Sequence, residues 1–265
     1  MNKRAQRPAV LCFSGHDPCG GAGIQADIET LVSHGCHAAS VITALTEQDS
    51  HNVKKILPQT PDAIFSQAQT LLADLPIKAF KIGLIGHADS ARAIHAILQQ
   101  YSDIPVILDT VLAAGGGAPL ADENLLGAIN ELLVPCATVL TPNSVEARKL
   151  TGLDDLPAAA LKLLERGARY VLVTGSHEQT DTVCNQLFAD GRLLEAFNWD
   201  RLPHSYHGSG CTLAAAIAGL SAQGLAPFNA VLEAQEYTWN ALQHGYRPGS
   251  GQYHPDRLFW MASDL

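Results

Sequence analysis

A glycine-rich hexapeptide that runs into an apolar segment is the first stretch of this sequence whose residues could do chemistry. Residues 207–212 read His-Gly-Ser-Gly-Cys-Thr, and residues 213–220 that follow are good helix formers. A tight turn that opens a buried helix leaves backbone N–H groups without partners, at the positive end of the helix dipole. We therefore expect this backbone to bind an anion, most naturally a phosphate. The residues assigned to the anion site are Gly208, Ser209, Gly210 and Cys211.

Two side chains of this stretch have candidate roles of their own. Thr212 either helps to hold the anion or caps the first turn of the helix. Cys211 lies where a reacting hydroxyl group would lie, and a helix N-terminus is expected to lower the pKa of a thiol. Cys211 is thus either a base or part of the wall of the anion site.

Polar residues also recur at the ends of predicted strands. They are Asp17, Gln48, Asp109, Asn143 and Glu146. In parallel sheets, ligands bind outside the carboxyl ends of the strands, so these side chains are expected to converge on one site.

Structural explanations exist for some of these residues. Asn143 and Glu146 fit a capping box at a helix start, or else Glu146 holds Mg²⁺ directly or through water. Asp109 either caps a loop or faces a metal and phosphates. Lys81 either extends to solvent from a sheet edge or has an active-site role.

The composition excludes several function classes. Of the 265 residues 47% are hydrophobic and 16% are charged, and the net charge of −9 argues against nucleic-acid or anionic-membrane partners. No apolar run approaches the roughly 20 residues of a membrane span. The six cysteines lack zinc-binding spacing, which is typical of free thiols in the cytoplasm. P-loop, nucleophile-elbow and dinucleotide-fold motifs are absent from the sequence.

The elements that must position these residues alternate along the chain. Strands are predicted at 9–13, 39–45, 79–83, 106–109, 138–140 and 170–173. Helices are predicted at about 24–32, 62–75, 88–100, 122–133, 157–166, 209–224 and 227–243, with another beginning after Asn143. Residues 181–197 are predicted to form two antiparallel strands joined at Asp190-Gly191. This alternation predicts one α/β domain over 1–265 with a mostly parallel sheet and helices on both faces.

Six motifs occur in an order that resembles a known family. They are residues 14–27, 41–48, 81–84, 108–111, 140–147 and 208–212. Together they closely resemble the hydroxymethylpyrimidine/phosphomethylpyrimidine kinases of thiamine biosynthesis, members of the ribokinase-like superfamily, over about residues 9–245. The resemblance implies a three-layer α/β/α sandwich with a mostly parallel central sheet. It also implies a homodimer.

The resemblance further implies ATP- and Mg²⁺-dependent phosphorylation of 4-amino-5-hydroxymethyl-2-methylpyrimidine and then of its monophosphate. It assigns the pyrimidine to Gly15, Asp27, Gln48, Leu84 and Val111. It assigns the nucleotide and its phosphates to Asn143, Thr174 and Thr212, and the metal to Asp109 and Glu146. Residues 208–211 would form the anion hole, with Cys211 where many sugar kinases of the superfamily carry an aspartate base.

The chain departs from the family pattern in several places, one of them residues 113–117, which read Ala-Ala-Gly-Gly-Gly where Lys-Ser-Gly is common. His16 and Cys19 replace small hydroxyl residues, and Thr174 stands where a lysine is expected. Losing that lysine removes a mobile cation near the phosphates. Two alternative functions remain. One is a kinase of pyridoxal or pyridoxine, which shares the architecture, and the other is a non-catalytic pyrimidine-binding sensor, which Thr174 suggests.

Overall fold

The computed structural model describes residues 7–113, 115–117 and 120–264, which contain nine β-strands and eight α-helices. The strands are β1 (Ala9–His16), β2 (His37–Gln48), β3 (Val53–Pro58), β4 (Ile77–Ile82), β5 (Val106–Leu108), β6 (Val139–Leu140), β7 (Tyr170–Val173), β8 (Thr182–Ala189) and β9 (Arg192–Asp200). The helices are α1 (Gly23–Ser33), α2 (Pro61–Asp74), α3 (Ala88–Leu98), α4 (Glu123–Ala128), α5 (Ser144–Thr151), α6 (Leu156–Glu165), α7 (Ser209–Ala222) and α8 (Pro227–Gln243). The ends of the predicted domain, residues 1–6 and 265, lie outside the described residues.

All nine strands belong to one sheet, in the order β3-β2-β1-β4-β5-β6-β7-β8-β9. The six strands from β2 to β7 in this order are parallel to their neighbours. Antiparallel strands extend the sheet at both sides, with β3 next to β2 and the β8–β9 hairpin next to β7. The carboxyl ends of the six parallel strands therefore meet along one edge of the sheet.

The buried side chains of β1 alternate between two hydrophobic cores, one on each face of the sheet. Leu11 and Phe13 pack into the core beneath α2 to α6. Val10 and Cys12 pack into the core beneath α1, α7 and α8. This alternation follows from the two-residue period of a strand. The predicted three-layer α/β/α sandwich with a mostly parallel central sheet is confirmed.

Helix α7 is apolar on all sides because it lies in the middle of its layer. Residues 212–220 are buried without interruption, and α7 contacts both α1 and α8 as well as the sheet. This packing fixes the position of the glycine-rich turn that precedes the helix. No helix within the described ranges is long and apolar enough to cross a membrane.

The sequence did not predict strand β3. Its residues are mostly exposed, and it pairs only with the end of β2 at the edge of the sheet. An exposed edge strand lacks the alternating or continuous apolar pattern on which the prediction of strands relies. The structure also differs from the prediction at residues 122–133. The α-helix α4 ends at Ala128, and the chain continues as a π-helical turn over Ile129–Leu133.

A fully buried ion pair joins β4, β1 and α1 beneath the carboxyl edge of the sheet. Lys81 Nζ lies 2.9 Å from Asp27 Oδ1, and neither side chain is exposed. Ser14 completes the group, since its hydroxyl donates to Asp27 Oδ2 at 2.5 Å and accepts from Lys81 Nζ at 3.1 Å. Burial acts to lower the pKa of Lys81, but the nearby acidic groups, Asp27 foremost, together outweigh it and raise that pKa above its usual value. The Lys81 ammonium group therefore remains charged in the interior.

We expect Lys81→Met to lower the free energy of unfolding by about 3–5 kcal/mol, because it leaves the Asp27 carboxylate buried without a counter-charge. The exposed pair between Lys162 and Glu165 provides a matched control. Lys162→Met should cost less than about 1 kcal/mol. Urea denaturation of both variants measures the difference. Equal losses for the two variants would contradict the structural importance of the buried pair.

Candidate active site

A cavity of about 870 Å³ opens at the carboxyl edge of the sheet. Of the fourteen residues predicted from the sequence, twelve line it: Gly15, Gln48, Leu84, Asp109, Val111, Asn143, Glu146, Thr174, Gly208, Ser209, Gly210 and Cys211. The other two, Asp27 and Thr212, are fully buried behind its wall. The structure thus gathers into one cavity residues that are almost 200 positions apart in the sequence.

The turn before α7 has the backbone geometry expected of an anion site. Gly208 has a φ of +88°, and a Cβ atom there would lie 1.8 Å from the carbonyl oxygen of Gly21. Both the left-handed conformation and the lack of space require glycine. The first N–H groups of any α-helix have no intrahelical partner. In α7 no side chain caps them, and the residues that carry them line the cavity. This geometry can bind an anion through the backbone alone.

Thr212 supports this turn from behind. Its hydroxyl donates to the carbonyl oxygen of Gly208 at 2.8 Å and accepts from Arg257 Nε at 3.0 Å. Arg257 is itself buried, and its guanidinium also donates to Glu29 at 2.9 Å and to the carbonyl oxygen of Gly21. Of the two sequence-based alternatives for Thr212, the structure shows the one in which it stabilises the first turn.

Two buried carboxyl groups lie beside the anion turn. A Cβ on Gly210 would lie 3.7 Å from Asp109 Oδ1, and Asp109 Oδ2 has no hydrogen-bond partner among the described residues. Burial raises the pKa of Asp109 to about 6, although Lys81 acts in the opposite direction. Burial and the nearby Asp109 raise the pKa of Glu146 to about 8. Two such groups, close together and short of cationic partners, are the arrangement that a bound cation would stabilise.

The capping box predicted at α5 is present. Asn143 Oδ1 accepts from the N–H of Glu146 at 2.9 Å, and Glu146 Oε2 accepts from the N–H of Asn143 at 3.0 Å. Glu146 Oε1 accepts in addition from the N–H of Leu112 at 3.2 Å. Because Glu146 also lines the cavity, capping and a role toward a cation are compatible in this geometry.

Gln48, the last residue of β2, is oriented by two neighbours. Its side-chain nitrogen lies 2.8 Å from His207 Nε2, and its side-chain oxygen accepts from the Thr46 hydroxyl at 3.2 Å. His207 Nε2 also lies 2.8 Å from Asp17 Oδ2. Because a carboxylate only accepts hydrogen bonds, His207 Nε2 carries the proton that it donates to Asp17, and the Gln48 amide lies against the same ring nitrogen. This contact limits where the amide can meet a ligand.

Asp17 holds the loop between β1 and α1. Its carboxylate accepts from the N–H groups of Cys19 at 2.9 Å, Gly21 at 3.0 Å and Ala22 at 2.8 Å. Burial acts to raise the pKa of Asp17, but the hydrogen bonds from His207 and Cys19 outweigh it and keep that pKa below its usual range. The glycine-rich loop is therefore fixed by an ionised carboxylate.

Lys81 and Asp27 lie outside the cavity lining, paired with each other. The alternative in which Lys81 extends to solvent from a sheet edge is wrong, because β4 lies between β1 and β5 and the side chain is fully buried. Asp27, assigned to the pyrimidine, has its carboxylate occupied by Lys81 and Ser14. In this geometry Asp27 supports the floor of the cavity, and its direct contact with a ligand stays a prediction.

The expectation that the helix start lowers the pKa of Cys211 is wrong. Burial raises the pKa of this thiol to about 12, and the nearby Asp109 and Asp27 carboxylates add to the effect, although Lys81 opposes it. The Cys211 side chain is therefore a protonated thiol at neutral pH.

Sequence reasoning missed three residues that shape this site. Two of them are histidines that were not among the predicted site residues, His207 and His254, which are buried with 8% and 1% of their surface exposed. Arg257 lies beyond residue 245, where the recognised motifs end. Only the position of His207 next to the glycine-rich turn could have indicated its role.

Comparison with known proteins agrees with this geometry. The sequence profile of the phosphomethylpyrimidine kinase family matches residues 17–256. The chain is 36% identical over 252 residues to the hydroxymethylpyrimidine/phosphomethylpyrimidine kinase of Synechococcus elongatus, covering 92% of this chain and 95% of that protein. It is 37% identical over 259 residues to the thiamine biosynthesis bifunctional protein ThiED of Geobacter sulfurreducens. That match covers 95% of this chain but 53% of ThiED, so the chain spans about half the length of that relative.

The fold also resembles that of a solved vitamin kinase. An ADP complex of Bacillus subtilis pyridoxal kinase superimposes with a TM-score of 0.88 at 25% identity, covering 97% of this chain and 100% of that one. The ribokinase-like fold expected from the motifs is thereby confirmed. With the family profile matching 240 consecutive residues that include almost the whole cavity, the chain belongs to the phosphomethylpyrimidine kinase family.

Proposed function

We propose that this protein uses ATP to phosphorylate 4-amino-5-hydroxymethyl-2-methylpyrimidine and then its monophosphate, giving the diphosphate for thiamine biosynthesis. The observation that carries the proposal is that the uncapped start of α7 and the oriented amide of Gln48 face the same cavity. One end of the cavity can thus hold a transferred phosphoryl group, and the other an aminopyrimidine.

The phosphate end of the cavity depends on backbone groups. The N–H groups of residues 209–211 would meet the charge that develops on the phosphoryl group during transfer. Asn143 and Thr174, on neighbouring strand ends, would face the nucleotide. With Thr174 replacing the expected lysine, and with Lys81 fully buried beneath the cavity, the backbone supplies most of the stabilisation in this proposal.

Mg²⁺ fits the two carboxyl groups at this end. Asp109 has a buried oxygen without a described partner, and Glu146 is held beside it with a raised pKa. Oxygen ligands of this kind are what Mg²⁺ prefers. When bound, the ion would neutralise negative charge on the nucleotide phosphates. The protein's own contribution is to hold the Glu146 carboxyl group in place through the capping box and to place the charge of Lys81 near Asp109.

The pyrimidine end combines apolar walls with one amide. Gly15, Leu84 and Val111 line the cavity near Gln48. An amide offers one donor and one acceptor, which pairs with the exocyclic amine and ring nitrogen of an aminopyrimidine. His207 and Thr46 hold this amide in place before a ligand arrives.

We further propose a cytoplasmic homodimer, consisting of one domain per chain. The six free cysteines suit a reducing compartment. The homodimer is proposed from the resemblance to the family, and a measurement of the mass of the protein in solution tests it.

Pyridoxal is a second candidate acceptor, favoured by the similarity to Bacillus subtilis pyridoxal kinase. An ADP-release assay with the hydroxymethylpyrimidine, its monophosphate and pyridoxal compares the candidates directly. We expect the highest kcat/KM with the pyrimidines. A preference for pyridoxal would overturn the proposed substrate, and no ADP release with any acceptor would overturn the kinase activity.

Gly210→Asp should reduce phosphoryl transfer by about 10²-fold or more, because a carboxylate repels the phosphate and adds to the charge of Asp109. Gly210→Ala is the matched control, since a Cβ there meets nothing closer than 3.7 Å. We expect the alanine variant to retain most of its activity. Similar rates for both variants in the ADP-release assay would remove the anion turn from the proposed mechanism.

Gln48→Ala should raise the KM for the hydroxymethylpyrimidine while the KM for ATP changes little. Leaving polar atoms of the pyrimidine unpaired costs about 1–3 kcal/mol, which corresponds to about 5- to 150-fold in KM. Gln59→Ala, which changes a residue just after the edge strand β3 and outside the cavity lining, is the control variant. A raised KM for ATP instead would place Gln48 in the nucleotide end of the cavity.

Cys211→Ala should slow both phosphorylation steps by similar factors. A thiol whose pKa lies at about 12 is protonated in its resting state and cannot take up the proton of the acceptor, so we propose that Cys211 forms part of the cavity wall. A general base would matter only for the neutral hydroxymethyl acceptor, at about 10²–10⁴-fold. The rates of the two phosphorylation steps are measured for the wild type and for Cys211→Ala, and the loss in the first step is compared with the loss in the second. A selective loss of the first step would identify Cys211 as the base.

A further inference from the structure

A cluster of three different metal-binding side chains lies beside the pyrimidine end of the cavity. Asp17, Cys19 and His207 each place one ligand atom within 4.8 Å of the other two. Asp17 and Cys19 belong to the loop after β1, whereas His207 precedes α7. The pairing of Gln48 with the pyrimidine that we propose above does not involve the thiol of Cys19.

The donor atoms define the kind of ion that fits. A thiolate, an imidazole nitrogen and a carboxylate oxygen are the three ligand types that Zn²⁺ takes, at about 2.0–2.3 Å each in tetrahedral geometry. Mg²⁺ requires oxygen ligands. The cluster is thus chemically distinct from the carboxyl pair of Asp109 and Glu146.

A second buried imidazole lies near this cluster, outside the group of ligand atoms that all lie within 4.8 Å of one another. His254 is 1% exposed, and its Nε2 atom has no hydrogen-bond partner among the described residues. A Cβ on Gly21 would lie 2.3 Å from His207 Cδ2 and 2.7 Å from His254 Nε2, so both rings converge on this glycine. Their centroids are 5.7 Å apart. A buried imidazole nitrogen with a free lone pair, aimed at this point, is an independent indication of a ligand.

We propose that Asp17, Cys19 and His207 bind Zn²⁺ as its three protein ligands. Binding forms the Zn–S bond at the expense of the S–H bond of Cys19, and the thiol proton passes to solvent. His207 binds through Nε2, and the proton that this nitrogen donates to Asp17 moves to Nδ1. No oxidant or reductant takes part.

The ion would interfere with recognition of the pyrimidine. His207 Nε2 is the atom that lies 2.8 Å from the Gln48 side-chain nitrogen, and a metal bound to it removes this partner. Zn²⁺ therefore acts as an inhibitor that raises the KM for the pyrimidine. This consequence rests on the proposed function, whereas the metal site itself does not.

Cobalt binding tests the site without any substrate. Co²⁺ replaces Zn²⁺ in such sites, and a bound thiolate gives a charge-transfer band in the near ultraviolet. We expect this band in the wild type, in Cys184→Ser, which changes a half-buried thiol on β8, and in Cys211→Ser. Cys19→Ser and Cys19→Ala should lack it, and competition with a chelator should show at least about tenfold weaker Zn²⁺ binding. A band that persists in both Cys19 variants, or that disappears in Cys211→Ser, would overturn the site.

Kinetics test the consequence. Cys19→Ser should retain turnover, because Cys19 does not line the cavity and serine keeps a polar side chain there. Zn²⁺ should raise the KM for the pyrimidine in the wild type and in Cys184→Ser but leave Cys19→Ser unaffected. Equal inhibition of the wild type and Cys19→Ser would overturn the link to Gln48. If no pyrimidine is phosphorylated at all, the proposed function fails while the cobalt band still decides the metal site.

Discussion

The buried pairing of Lys81 with Asp27 is the interaction on which the cavity depends. It joins the middle of the sheet to α1, and with Ser14 it forms a closed polar group beneath the site. A lone charge at this depth would be prohibitively costly, so neither residue can be understood without the other. The positive charge of Lys81 also acts on Asp109 and Cys211 above it, opposing the rise in pKa that burial causes in both. The same pair therefore supports the floor of the cavity and influences its chemistry.

Above this floor, the site is built mainly from backbone groups held by buried side chains. Asp17 fixes three N–H groups of the loop after β1, and Arg257 fixes the carbonyl group of Gly21 and the hydroxyl group of Thr212. The turn at Gly208 then fits against Gly21 too closely for any larger residue. Such a preorganised arrangement can meet the charge of a phosphoryl group without rearranging. It also explains how an acidic protein can offer a site for anions.

The sequence predicted those parts of the molecule that depend on local pattern. The parallel strands were evident because they are short, apolar and followed by turns, and the hairpin at Asp190-Gly191 was evident because both residues suit positive φ, which they adopt at 51° and 70°. The edge strand β3 was missed because an exposed strand carries no apolar pattern. The burial of Lys81 and the raised pKa of Cys211 could not be predicted, since both depend on neighbours that are distant in sequence. Residue types and spacing thus indicated where the site lies, whereas protonation required the three-dimensional environment.

Arg257 also bears on how the protein is made. Its guanidinium contacts Gly21 and Glu29 near the beginning of the chain and Thr212 at the start of α7. During synthesis on the ribosome, the loop after β1 emerges more than 200 residues before this arginine. Contacts between such distant segments form late, because they require the closure of a very long loop. The contacts that hold the anion turn through Arg257 can therefore form only after residue 257 has left the ribosome, when every strand of the sheet has already emerged.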